Sequence, residues 1–275
     1  SRNGFDTYSK GDYKGNEHFI ETYAGIDINK AVKLTVGADF RASNSNQLYS
    51  SIGFFGPFKS ELGKDSLKQN QLGIYAAATI ATQKGFNIEF GNRLNIHSEY
   101  GSNYVFNINP SYLINNKVKL FTNLSSGYRV PSLYQLYSEY GNKQLKPEAS
   151  LNTELGVQYF SKNNQFNARG VYDNRTIKDV MFFYFNSTTF QAQYINQDKQ
   201  KDNGLELEAA YTGVKNLSLK GFFNFVDGNI STKTGAGKDT TFFNLLRRPK
   251  TSFGLNIGYQ VTKQLYVSTN IAAFG

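Results

Sequence analysis

Residues 32–41 read VKLTVGADFR, and apolar residues alternate there with polar residues or glycine. Successive side chains of an extended strand point to opposite faces of a sheet, so this stretch has one apolar face and one hydrated face. The same pattern recurs about a dozen times along the chain, and no window shows a sustained helical period. The sequence therefore predicts an all-β protein in which each strand separates an apolar phase from water.

The predicted strands are long. Most span about ten residues or more, against a mean near six in globular proteins, and a tilted strand needs about nine to eleven residues to cross a bilayer. Their length therefore favours a transmembrane barrel over a compact soluble sheet. The twelve predicted strands are 16–28, 32–42, 68–82, 86–97, 104–114, 118–127, 148–160, 165–185, 190–212, 217–227, 249–261 and 264–274.

The connections between these strands are predicted to alternate between tight turns and longer segments. Outer-membrane barrels have this asymmetry, with short periplasmic turns and long external loops. The tight turns are 29–31, 83–85, 115–117, 161–164, 213–216 and 262–263, and the longer segments are 43–67, 98–103, 128–147, 186–189 and 228–248. We therefore predict an antiparallel transmembrane β-barrel with the long loops on one rim and the tight turns on the other.

The composition supports this class and argues against others. The chain has no cysteine, 19 tyrosines and 23 phenylalanines, and its mean hydropathy is −0.48. The aromatic residues suit the girdles of a barrel, and the half-polar strands explain why no run of about 18 apolar residues forms a transmembrane helix. The net charge of +9 is spread over turns and polar faces rather than gathered in a stripe, so we expect no nucleic-acid partner.

The length of the chain leaves the extent of the barrel open. About twelve strands can close a barrel, since bacterial barrels have even numbers of strands from about eight upward. The chain nevertheless begins in a polar stretch and ends at Gly275 without an evident closing segment. We therefore expect it to be part of a larger barrel.

Residues 126–156 carry the most specific motif series, SGYRVPSLYQLYSEYGNKQLKPEASLNTELG. It resembles a stretch of TonB-dependent outer-membrane receptors in which a G-[YF]-[KR]-x-P-x-L-x-x-L-Y loop precedes G-N-x-x-L-x-P-E and a strand with x-E-x-G. The run L-Y-x-x-Y-G-N is most similar to the cobalamin-receptor branch of that family. The matching residues are Gly127, Tyr128, Arg129, Pro131, Leu133, Leu136 and Tyr137, then Gly141, Asn142, Leu145, Pro147 and Glu148, then Glu154 and Gly156; downstream, Tyr172–Asp179, Tyr194–Glu208 and Arg248–Phe253 resemble later strands of the family.

The resemblance implies both an architecture and an activity. In that family a 22-stranded barrel is plugged by an N-terminal domain, a segment before the plug binds TonB, and TonB draws the ligand inward. Residues 1–275 are accordingly expected to form a partial barrel domain without the plug and the terminal strands. The expected function is active import of cobalamin or an iron chelate (a siderophore complex) across the bacterial outer membrane, energised through TonB, with membrane lipid around the barrel.

Part of the predicted outer loop 128–147 is a candidate ligand-binding surface. Aromatic rings can stack on a planar or hydrophobic ligand and can also bind cations. The alternative is that these side chains pack the loop against its neighbours or belong to the interfacial girdle. Pro131 and Pro147 are expected only to fix the backbone where the loop begins and ends. The candidate ligand-binding residues are Arg129, Tyr134, Tyr137 and Tyr140.

Two carboxylates share one strand face without indicating catalysis. Glu206 and Glu208 are two positions apart, which places them about 7 Å from each other on a strand. No nucleophile or histidine pattern accompanies them, so we expect no catalytic residues and no enzyme activity. We expect both to line the wet lumen and to pair with Arg169 or Lys220.

No pattern indicates a metal or a cofactor. His18 and His97 are the only histidines, and a zinc site requires more ligands at closer spacing. The sequence Gly-Ala-Gly-Lys at 235–238 lacks the complete phosphate-binding motif and no helix follows it. We interpret it as the tip of a flexible outer loop.

Two other classes stay open at this point. One is a passive porin, and the other is a soluble all-β binding module, such as an adhesin or a sugar-binding sandwich. A sandwich packs its apolar faces against a second sheet, whereas a barrel exposes them to lipid; on the barrel hypothesis Phe90→Arg is expected to reduce membrane assembly sharply and Arg93→Phe to matter less. The residues predicted to face lipid are Leu72, Ile74, Ile80, Phe86, Ile88, Phe90, Leu255, Ile257 and Tyr259, and those predicted to face the lumen are Asn87, Glu89, Arg93, Asn152, Glu154, Glu206 and Glu208.

Overall fold

A computed structural model describes residues 8–53, 56–186, 190–233, 239–243 and 249–275. The predicted loop tip at 235–238 lies outside the described residues. The elements are β1 (Tyr8–Asp27), β2 (Val32–Gly53), β3 (Gly56–Leu62), β4 (Lys68–Ala81), β5 (Phe86–His97), β6 (Gly101–Ile114), β7 (Val118–Arg129), α1 (Leu133–Tyr137), β8 (Glu148–Phe160), β9 (Phe166–Asn186), β10 (Gln191–Tyr211), β11 (Leu217–Lys233), β12 (Asp239–Phe243), β13 (Thr251–Gln260) and β14 (Tyr266–Phe274).

The fourteen strands form one sheet, and twelve of them follow one another as neighbours in chain order. Every pairing among the described residues is antiparallel, including the predicted hairpin of β8 and β9. In such a meander the connections alternate between two rims, so the tight turns lie on one rim and the long segments on the other. The predicted all-β antiparallel fold and its sidedness are confirmed.

The structure differs from the sequence prediction at the long-loop rim. Two further strands lie inside segments predicted as loops, because β3 pairs only with β2 and β12 only with β11. The connection predicted at 98–103 is three residues, 98–100, since β6 already begins at Gly101. The segment predicted at 128–147 contains the short helix α1. No helix in the described part of the chain is long and apolar enough to cross a membrane.

Cross-strand register shows which side chains share a face. Leu34 pairs with Ala78, Ala78 with Phe90, and Phe90 with Ile108. This continuous apolar row belongs to the face that also carries the other residues predicted to meet lipid, and Ile74, for example, is 49% exposed. Because the described strands form one sheet and no second sheet covers this face, the sandwich alternative is wrong. An uncovered apolar surface of this kind fits a bilayer rather than water.

The opposite face carries the polar residues predicted to line the lumen. Arg93 donates from Nη1 and Nη2 to the Asp39 carboxylate at 2.5 and 2.9 Å. Arg169 Nη1 lies 3.7 Å from a carboxylate oxygen of both Glu206 and Glu208, so the predicted pairing with Arg169 is confirmed. These contacts support the assignment of this face to the wet interior.

The two outer strands of the sheet, β1 and β14, each pair with one neighbour in this chain. A free row of backbone N–H and C=O groups cannot persist against lipid. That these edges meet further protein stays a prediction.

Candidate functional site

The segment 130–147 leaves the end of β7 and contacts strands on both sides of it. Gln47 Nε2 of β2 donates to the Leu133 carbonyl at 3.3 Å, and the backbone N–H of Tyr194 in β10 donates to the Tyr140 carbonyl at 3.0 Å. Three strands separate β2 from β7 in the sheet, so the segment reaches β2 by crossing the mouth enclosed by the curved wall. We call residues 130–147 the mouth loop.

The helix α1 at the start of the mouth loop has a complete capping box. Ser132 Oγ accepts from the Gln135 N–H at 3.2 Å, and the Gln135 side chain accepts from the Ser132 N–H at 2.9 Å. These two bonds satisfy donors that the first helical turn leaves free. A five-residue helix is not stable alone, so its position depends on Leu133 and Leu136, which are both buried.

Side chains of β10 hold the second half of the mouth loop. Asn196 accepts from the Lys146 N–H at 2.8 Å and donates to the Lys146 carbonyl at 3.0 Å, while Asn142 Nδ2 donates to the Tyr194 carbonyl at 3.0 Å. Leu136, Leu145 and Met181 of β9 form a small buried core beneath these bonds. The mouth loop is therefore fastened by hydrogen bonds and apolar packing to one side of the wall.

Gly141 is required at the tight bend that follows α1. A Cβ there would lie 2.7 Å from the backbone C and O of Leu136 and from the N of Tyr137, and backbone atoms cannot move aside cheaply. We expect Gly141→Ala to loosen the mouth loop and to raise hydrogen exchange across 138–146 at least tenfold. Gly63→Ala, at a site in another long-rim segment with open space around it, should leave exchange unchanged; equal protection in both variants would contradict the tight packing.

The structure gives Arg129 a partner within the protein. Its guanidinium donates from Nε and Nη2 to the two oxygens of Glu148 at 2.7 and 2.8 Å. The backbone N–H of Met181 donates to the same carboxylate at 2.6 Å. Arg129 thus joins the two ends of the mouth loop, where β7 stops and β8 begins. Contact of Arg129 with a ligand stays a prediction, and its direct role here is to close the base of the loop.

Five aromatic residues form the mouth cluster: Tyr13, Tyr134, Tyr140, Phe183 and Tyr194. Tyr13 meets Tyr134 with ring centroids 5.1 Å apart, and Tyr134 meets Tyr194 at 6.2 Å. Phe183 meets Tyr140 at 5.4 Å and Tyr194 at 5.3 Å. All four contacts are edge-on, the arrangement that aromatic pairs prefer. Since Phe183 and Tyr13 are 45% and 37% exposed, the cluster presents open ring surface at the mouth.

Of the candidate tyrosines, Tyr134 and Tyr140 lie in the mouth cluster and Tyr137 does not. Tyr137 packs against the buried core of Leu136, Leu145 and Met181, and Lys143 Nζ lies 5.3 Å from its ring centre. The structure thus brings together two of the four predicted residues. Ligand contact by any of them stays a prediction.

Sequence reasoning missed three members of the cluster. Tyr13 and Phe183 lie about 120 and 40 residues from the mouth loop in sequence, and no local pattern connects them to it. Tyr194 and Asn196 begin the stretch Tyr194–Glu208 that resembles the family, in the order Y-x-N. The structure explains this spacing, because the Tyr194 ring contacts Tyr134 while the Asn196 amide binds the Lys146 backbone. This motif near the start of β10 was the available signal.

The environment of the mouth loop keeps the hydroxyl groups of its tyrosines protonated. Burial, and then the nearby Glu139 carboxylate, raise the pKa of both Tyr134 and Tyr140. The Tyr13 hydroxyl donates to the same Glu139 carboxylate. The tyrosine hydroxyls therefore remain hydrogen-bond donors at neutral pH, beside open ring edges.

Fold and site together define a barrel wall of the outer-membrane type, with tight turns on one rim and an aromatic-lined loop across the other. The family model described as TonB dependent receptor-like, beta-barrel matches residues 1–272. The chain belongs to that family and is a bacterial outer-membrane protein. This membership favours a receptor over the passive porin.

Individual relatives agree with the family. The chain is 29% identical over 105 residues to a ferric enterobactin receptor of Pseudomonas aeruginosa, covering 31% of this chain and 14% of the relative. It is 25% identical over 171 residues to the vitamin B12 transporter BtuB of Photobacterium profundum, covering 61% and 26%. The FrpB iron transporter of Neisseria meningitidis shares the fold with a TM-score of 0.71 at 14% identity, covering 94% of this chain and 42% of that one. The chain spans about a third or less of the length of the curated relatives it matches.

Proposed function

We propose that this chain forms the ligand-facing wall of a receptor that actively imports an iron chelate across the outer membrane. The observation that carries the proposal is the mouth cluster, which the fastened mouth loop holds open at the rim of the long loops. Open aromatic edges and phenol donors suit a ligand that is partly planar and rich in oxygen acceptors. In the proposal, a plug domain closes the complete 22-stranded barrel, and TonB supplies the energy for release inward.

Charges on the mouth loop favour an iron chelate. Lys143 and Lys146 are exposed there. The one exposed carboxylate of the loop, Glu139, accepts a hydrogen bond from the Tyr13 hydroxyl. Exposed cations attract the net negative charge that ferric chelates commonly carry, and such steering raises the rate of association. The similarity to a ferric enterobactin receptor points the same way.

Cobalamin is the second candidate. The observation in its favour is the L-Y-x-x-Y-G-N run at 136–142 together with the similarity to a vitamin B12 transporter. Titrating the full-length receptor with a ferric catecholate and with cobalamin separates the two. Binding of cobalamin alone would overturn the iron-chelate proposal while leaving active import intact.

Tyr134→Ala and Tyr140→Ala are each expected to weaken binding of a ferric catecholate by about threefold to tenfold, which is the value of one aromatic contact. The measurement is a fluorescence titration of the purified full-length receptor. Tyr104→Ala removes an exposed tyrosine that pairs with Leu94 on the lipid-facing side and should leave affinity unchanged. Uptake, but not binding, should be lost in cells without TonB; undiminished uptake there would refute energised import.

A further inference from the structure

We propose that Lys178, Lys199 and Lys201 bind the phosphate groups of an anionic lipid in the outer leaflet of the membrane. These residues lie on the lipid-facing side of β9 and β10, whereas the mouth cluster lies on the opposite face. The proposal names a lipid contact on the outside of the barrel and does not depend on the imported ligand.

Register places the three lysines on one face. Lys199 pairs directly with Lys178, and Lys201 pairs with Thr176. Thr176 in turn pairs with Leu151, which belongs to the apolar face and is 46% exposed. Since cross-strand partners share a face, the three ammonium groups project on the side that meets the membrane.

Their height matches the head-group layer. The apolar face of these strands begins near the tight-turn rim with Phe166 and Tyr211, which are paired. Lys201 lies ten positions before Tyr211, and Lys178 lies twelve positions after Phe166. At about 3.3 Å per residue and a tilt of about 40°, these lysines lie roughly 25–30 Å above the Phe166–Tyr211 pair. The apolar band of such barrels is about 25 Å tall. The lysines therefore stand at its upper border, where lipid phosphates lie.

The cluster is not neutralised from within the protein. No described carboxylate lies within ion-pair distance of Lys178, Lys199 or Lys201. On the other face of the same strands, by contrast, Arg175 Nε donates to Asp202 at 3.1 Å. On the face of the lysines, Asp227 pairs across the sheet with Asn203, and Lys250 already binds this carboxylate at 3.0 Å.

This arrangement requires an anion from outside. Like charges directly opposite each other on neighbouring strands destabilise a sheet, and Lys178 and Lys199 are such a pair. A phosphate between them removes the repulsion and accepts several hydrogen bonds. Thr176 and Asn203, on the same face, offer further polar groups. The positive charge of the three lysines and their height at the border of the apolar band both favour a phosphorylated lipid as the ligand.

The test compares lipid binding by the full-length receptor and by its Lys178→Gln/Lys199→Gln/Lys201→Gln variant. Native mass spectrometry in neutral detergent, with bis-phosphorylated lipid A as the probe, gives the apparent affinity. A basic residue near an anionic surface contributes about a fivefold change in affinity, so the triple variant should lose on the order of a hundredfold. Lipid A stripped of both phosphates should bind the wild-type receptor as weakly as bis-phosphorylated lipid A binds the variant.

The matched control is Lys117→Gln/Lys162→Gln/Lys215→Gln, which removes the same charge from the tight turns of the opposite rim. It should retain wild-type affinity, and a Lys→Arg variant at the three proposed positions should retain most of it. Unchanged affinity in the glutamine variant, or an equal loss in the control, would overturn the proposal. Displacement of lipid A by inorganic phosphate at equal concentration would overturn the lipid assignment. If the glutamine variant does not assemble, the single variants Lys178→Gln and Lys201→Gln carry the test, with about a fivefold loss expected in each.

Discussion

Phe90→Arg is expected to destabilise the assembled barrel by about 2–4 kcal/mol, the cost of an arginine on the lipid face near the bilayer midplane. Phe90 lies in the interior of β5 between Ala78 of β4 and Ile108 of β6, and its side chain is 42% exposed on the uncovered apolar face. An arginine there leaves its charge in hydrocarbon. The measurement is the amount of heat-modifiable, folded receptor in the outer membrane, which should fall several-fold.

The control places the same charge at the same depth on the other face. Thr79 pairs with Glu89, next to the Ala78–Phe90 pair, and both side chains face the lumen. Thr79→Arg therefore adds an arginine in water between Glu89 of β5 and Lys33 of β2, with one charge of each sign beside it, and the variant should assemble normally. Equal loss in both variants would mean that the two faces do not differ in environment, and the barrel assignment would fail.

Alternation alone was sufficient to predict these faces because the bilayer enforces it. A strand that separates lipid from water must carry apolar side chains at every second position over about ten residues. Residues 32–40 satisfy this, and the register confirms that the row from Leu34 to Ile108 is continuous. The same condition explains why the strand ends at the tight-turn rim were predicted within two residues. At the long-loop rim the prediction was wrong for three strands, because β1 begins eight residues earlier and β2 and β11 end eleven and six residues later than expected.

The constraint ends where the strands leave the membrane. β3 and β12 each have a partner on one side only, and the segment that forms β3, Gly56–Leu62, shows no strict alternation. Such extensions are held by pairing with a longer neighbour, which a local pattern does not reveal. The helix α1 was within reach, because Ser132 and Gln135 have the spacing of a capping box.

The alternation of apolar and polar residues could not predict contacts between residues far apart in the sequence. Arg93 was placed correctly in the lumen, and Arg93→Phe was expected to matter less to folding than Phe90→Arg. The structure pairs it with Asp39, which is 6% exposed and 54 positions away in sequence. Removing the guanidinium would leave a buried carboxylate without its partner, which is costly. The alternation within one strand determines which face of the sheet a side chain lies on. Its ion-pair partner depends on how distant strands are aligned.

Glu148→Ala is expected to detach the mouth loop from the wall. The Glu148 carboxylate accepts both donors of Arg129 and the N–H of Met181, and it is nearly buried. The substitution leaves that N–H without a partner and breaks two charge-assisted bonds, which we expect to cost about 2–3 kcal/mol. Hydrogen exchange of 138–146 should rise by about thirtyfold or more, and ligand affinity should fall with it.

Arg129→Ala tests whether Arg129 closes the base of the mouth loop or contacts the ligand directly. Arg129 is half-exposed, so water can replace part of its interaction and the expected loss is smaller, about 1–2 kcal/mol. If Arg129 acts by closing the loop, exchange and affinity change together, and the double variant with Glu148→Gln loses less than the sum of the single variants. Arg41→Ala, which breaks an exposed ion pair with Glu17, should change neither. A loss of affinity in Arg129→Ala with full protection of 138–146 would instead place the guanidinium on the ligand, because only direct contact can weaken binding while the loop stays fastened.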